Sequence, residues 1–73
     1  MMADLMEKDA LIEKLATTCA YLGRHIPFNQ LATSEDVIAI KKLRFEVINS
    51  EPEELDFNTI VKQCDEIMLR HGY

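Results

Sequence analysis

The sequence predicts an all-α fold, a single domain over residues 1–73 built as a small three-helix bundle that dimerisation or a partner would complete. Three observations point there. Apolar residues recur at helical spacing in three separate stretches. Two proline-bearing breaks, Ile26-Pro27 and Glu51-Pro52, divide those stretches. Hydrophobic residues make up 48% of the chain, which places it among globular rather than disordered sequences despite a net charge of -5.

The first helix is expected over residues 3–22. Leu5, Ile12, Leu15, Cys19 and Leu22 form one stripe and Leu11, Ala16 and Ala20 widen it, while Glu7, Lys8, Asp9, Glu13 and Lys14 supply the wet side. Gly23 tolerates the left-handed conformation that ends many helices, and Arg24 and His25 suit the negative end of the helix dipole. The stop is therefore expected at Leu22 or Gly23. Pro27 has no amide hydrogen and biases Ile26 toward extended geometry. The connection is apolar, and Ile26, Phe28 and Leu31 are expected to tuck it onto the core.

Thr33-Ser34-Glu35-Asp36 reads as the start of a second helix over residues 35–48, a hydroxyl cap with acids in the following turn. Val37, Ile40, Leu43 and Val47 trace one face, with Ile38, Phe45 and Ile48 beside or opposite it. A helix this apolar around its girth is either central or covered by another molecule. The third helix, over residues 57–70, admits two starts. Ser50 could cap with Glu53 returning the bond, or Asp56 could cap with Leu55 stapled onto Ile60. Asp56 is favoured, because Phe57, Ile60, Val61, Cys64, Ile67 and Met68 keep helical spacing from that point. Glu51 to Leu55 then forms a short preceding turn, and Arg70 and His71 suit the last turn of the helix.

A core this thin leaves little stability for strained catalytic geometry. The two glycines, Gly23 and Gly72, are far apart and build no phosphate loop. Glu51, Glu53, Glu54 and Asp56 crowd together beside a proline, whereas acid–base catalysis wants carboxylates in contrasting environments. Cys19 and Cys64 fall on apolar stripes, and neither they nor His25 and His71 have the spacing of a zinc knuckle. The cysteines read as small, reduced core residues and the histidines as cations at helix ends. No enzymatic activity, cofactor or metal is expected. Acid at Asp4, where a leader would carry base, and the lack of a spanning apolar run point to the cytoplasm and away from a membrane.

Six of the 13 carboxylates fall between Glu51 and Glu66, so most of the net charge sits in the last third of the chain. The helix dipole accounts for Asp56. Glu51, Glu53, Glu54, Asp65 and Glu66 exceed that need and are the expected partner-binding residues, steering the chain to a basic surface on a larger protein. The expected function is a small acidic regulator that modulates or inhibits a larger enzyme or nucleoprotein complex, in the manner of a phage or bacterial accessory protein. The alternative is a self-assembling subunit whose apolar surface from Val37 to Ile48 closes a homodimer. Direct nucleic-acid binding through Lys41, Lys42 and Arg44 ranks third. The acidic balance opposes phosphate binding, and the short turn of a helix-turn-helix is missing.

Overall fold

Asp4 opens the first helix, its carboxylate accepting the Glu7 amide at 2.8 Å while the Glu7 carboxylate accepts the Asp4 amide at 3.2 Å. In the computed structural model, which describes residues 4–73, this reciprocal cap starts α1 at Leu5. The expected helix start at Ala3 and the leader reading of Met1 to Ala3 lie outside the described residues. Helix α1 runs Leu5–His25, α2 runs Glu35–Asn49 and α3 runs Phe57–Arg70, with no strand among the described residues. The protein is an all-α three-helix bundle.

Helix α1 ends three residues beyond the expected Leu22 because Gly23 is not its stop. No residue there has positive φ, and the chain leaves the helix only at Ile26, whose extended backbone is what the following Pro27 demands. The left-handed glycine is instead Gly72, with φ of 91°. Around it the Tyr73 amide donates to the Met68 carbonyl at 3.1 Å and the Gly72 amide to the Leu69 carbonyl at 3.3 Å, closing the end of α3.

Helix α1 occupies the centre, packing against both α2 and α3. That position moves its seam from the expected stripe. Leu11, Leu15, Thr18 and Leu22 are fully buried, Ile12 and Cys19 are half-buried, and Leu5 is 66% exposed. A helix with one neighbour buries one stripe, but α1 has two, and its most buried line lies between them. On its α2 side Lys8 donates to the carbonyls of Ile48 and Ser50, at 3.2 and 2.7 Å. On its α3 side Lys14 pairs with Asp65 and the Tyr21 hydroxyl donates to the His71 carbonyl. Thr18 sits on the seam with its hydroxyl satisfied, donating to the Lys14 carbonyl one turn back, at 2.8 Å.

Ser34 caps α2 by accepting the Val37 amide, and Val37, Ile40 and Val47 are buried with Leu43 packed against them. Asp56 caps α3 by accepting the Thr59 amide at 3.2 Å, and Leu55 and Ile60 are both buried in the same cluster. The 3₁₀ turn Pro52–Glu54 precedes them as expected. The connection after α1 departs from expectation at one residue. Ile26 is buried and Leu31 packs on the core, but Phe28 is 92% exposed. The 3₁₀ turn Phe28–Gln30 stands off between its two anchors, which already close that end of the core.

Candidate interaction surface

The acidic residues after α2 divide according to what the local backbone needs. The Glu54 carboxylate accepts the Glu51 amide at 3.0 Å and so closes its own turn. Asp56 accepts the Thr59 amide, a bond that holds its carboxyl below the ordinary value. Glu51 and Glu53 are exposed and make no ion pair among the described residues. Asp65 and Glu66 belong elsewhere. They lie about 14 to 15 Å along the axis of α3 from Asp56 at 1.5 Å per residue. Asp65 meets Lys14 of α1 at 2.7 Å, a hydrogen bond that raises the lysine pKa. Glu66 is exposed and borders a shallow groove with Ala39 of α2 and with Arg70. Of the five expected residues, three share one turn and the other two face different neighbours.

Asp36 is a connection that sequence reasoning missed. Its carboxylate accepts from Arg70 Nη2 and lies against His71 Nε2, both at 2.7 Å, tying the first turn of α2 to the end of α3. The Arg70 hydrogen bond, aided by His71, holds the Asp36 carboxyl below its ordinary value against the opposing effect of partial burial. Lys41 and Arg44 are nearer to Asp36 and Glu35 in sequence, yet neither makes an ion pair among the described residues. His25 is held differently, with Nδ1 at 2.9 Å from the Tyr21 carbonyl and its ring stacked on Tyr21. A hollow of about 430 Å³ lies between His25 and His71, floored by Ile26, Pro27 and the cap of α2.

The largest departure from a sealed bundle is on α2. Phe45 is 69% exposed, Ile38 52% and Ile48 45%; at about 100° per residue Phe45 and Ile38 turn away from the core and Ile48 lies on the flank beside them. Beside them a groove of about 290 Å³ runs between Cys19 of α1 and Ile40, Lys41, Arg44, Phe45 and Ile48. Its walls are mainly hydrocarbon. The expectation that α2 was central or covered is thereby narrowed, since α1 holds the centre and the outer side of α2 is bare in the isolated chain.

The chain matches no known protein family, no characterised protein and no solved structure. Cys64 is fully buried and burial pushes its thiol pKa up, which disfavours the reactive thiolate. Cys19 is half-buried at the edge of the α2 groove. Among the described residues no three ligating side chains gather as a metal site, and no helix is long and apolar enough to cross a membrane.

Proposed function

We propose that this chain is a small cytoplasmic protein–protein interaction module that docks on a larger enzyme or nucleoprotein complex and modulates or inhibits it, performing no reaction of its own. The bare apolar side of α2 carries this reading. Phe45, Ile38 and Ile48 expose neighbouring hydrocarbon that the core does not use, and burying such aromatic and branched side chains is the main source of binding energy at protein interfaces. Glu51, Glu53 and Glu54 stand just beyond the end of α2, where they favour approach to a basic region of the partner; Asp65 and Glu66 contribute to the same long-range field.

Affinity capture from lysate of the source cells tests the reading with three baits, each checked for native helicity. Wild type should retain a defined partner, Phe45→Ser with Ile48→Ser should lose it, and Glu51→Lys with Glu53→Lys should slow its association. These carboxylates are chosen because Asp56 and Glu54 cap backbone amides. A chain that captures nothing, or captures equally well with the α2 face altered, refutes the module. Sedimentation over a dilution series distinguishes the self-assembling alternative, in which wild type dimerises and the Phe45→Ser, Ile48→Ser variant does not.

A further inference from the structure

We infer that the groove on α2 receives an acidic amphipathic helix supplied by the partner. This inference rests on the interaction-module reading and specifies what that module binds. A turn of about 100° per residue places Lys41, Arg44, Phe45 and Ile48 on one flank of α2, with Glu35 and Glu46 on the opposite flank. Lys41 and Arg44 line the groove together with Phe45 and Ile48. The result is an apolar trough with a cationic edge, on a chain whose net charge is -5.

That edge is not answered from within. Lys14 and Arg70 are paired with carboxylates and Lys8 donates to backbone carbonyls, while Lys41 and Arg44, like Arg24, Lys42 and Lys62 elsewhere on the surface, make no ion pair among the described residues. Asp9 lies two turns before Ala16 on the same line of α1 and Glu13 lies further round, and neither is in an ion pair among the described residues. On the α1 side the groove is bordered by the half-buried Cys19, with the exposed small residues Ala16 and Gly23 beside it on the same helix. Small residues facing large ones leave room for another helix to lie close.

Charge decides between the occupants this shape admits. A second copy placed by a two-fold axis sets the same flank against itself, cations facing cations, with no carboxylate of that flank to compensate. A helix with an apolar stripe and glutamates along its border fills the trough and answers Lys41 and Arg44 together. An anionic membrane is an extended surface that would also face the acidic remainder of the chain, whereas a single helix confined to the trough meets its cationic edge.

The test is a displayed library of helical peptides with leucines fixed on one face and each bordering position coded as either Glu or Lys. Selection on wild type should enrich Glu over Lys about tenfold or more at the positions beside the stripe. The double variant Lys41→Glu, Arg44→Glu should reverse that preference, and bound peptide should slow alkylation of Cys19. If the double variant is less helical than wild type, Lys41→Gln with Arg44→Gln takes its place and should erase the preference. No binders, no Glu preference, or a preference unchanged by these variants overturns the inference. So does dimerisation of wild type through this face, or binding to anionic vesicles that competes with no peptide. A partner captured through Phe45 and Ile48 alongside a failed selection would leave the module standing and remove only the acidic helix.

Discussion

At position 23 a methyl group would enter open space inside a regular helix, whereas at position 72 it would have to be held at a φ of 91°. Gly23→Ala should therefore raise stability by about 0.5–1 kcal/mol, through lower entropy of the unfolded chain and better helix propensity. Gly72→Ala should lower it by about 1 kcal/mol, because the left-handed conformation is strained for a residue with a Cβ. Urea titrations followed by circular dichroism measure both, and equal effects of one sign would refute the assignment. The two glycines also mark where local sequence signals fall short. A glycine followed by Arg24 and His25 carries every local mark of a helix stop, but Pro27 acts one residue ahead of itself and leaves the backbone helical through His25. Asp56 was readable as a cap because capping needs only residues three apart. Thr18 was invisible in the apolar pattern, since its hydroxyl is satisfied by a carbonyl of its own helix.

Between elements, the contacts that matter join residues far apart in sequence, and there local patterning loses its reach. Asp36 meets Arg70 and His71, and Asp65 meets Lys14, only once the three helices are placed. For the same reason Asp65 and Glu66, further along the chain, are grouped by sequence with Glu51, Glu53 and Glu54 as docking carboxylates, although Asp65 is engaged by α1. The broad apolar girth of α2 was readable in full; which helix took the centre was not, because that depends on α1 having a neighbour on each side. The Asp36 junction makes a pH prediction. Its carboxyl pKa is lowered in the folded chain, so its stabilising contribution is complete above the ordinary aspartate pKa and is lost as pH falls through that value toward the lowered one. Asp36→Asn should cost about 1 kcal/mol at neutral pH, with partial exposure limiting the effect. The cost should shrink on acidification, so that wild type and variant melt alike in strong acid. A difference that persists unchanged at low pH would show that Asp36 acts through packing or capping instead of charge.

For the molecule as a whole, the central position of α1 sets how it comes apart. Helices α2 and α3 each pack on α1, and the described ion pairs joining them to each other are those of Asp36. Leu15 is fully buried on the α1 seam. Truncating a buried leucine to alanine costs about 2–5 kcal/mol, comparable with the whole net stability of a domain this small. Leu15→Ala should therefore unfold the chain largely or completely, while Phe45→Ser, on the exposed side of α2, should shift the melt little. Cys64 reads the cooperativity directly. It is fully buried and burial raises its thiol pKa, so it is shielded both by access and by chemistry. In a Cys19→Ala background, alkylation of Cys64 requires α3 to leave α1, and loss of that packing leaves α2 without a stable framework. The free energy obtained from labelling under slow-alkylation conditions should equal that from urea unfolding, and far-UV helicity should be lost over the same urea range. Labelling at a distinctly lower free energy, with helicity retained, would mean that α3 detaches alone from a stable pair of α1 and α2. The single cooperative unit inferred from the central helix would then be wrong.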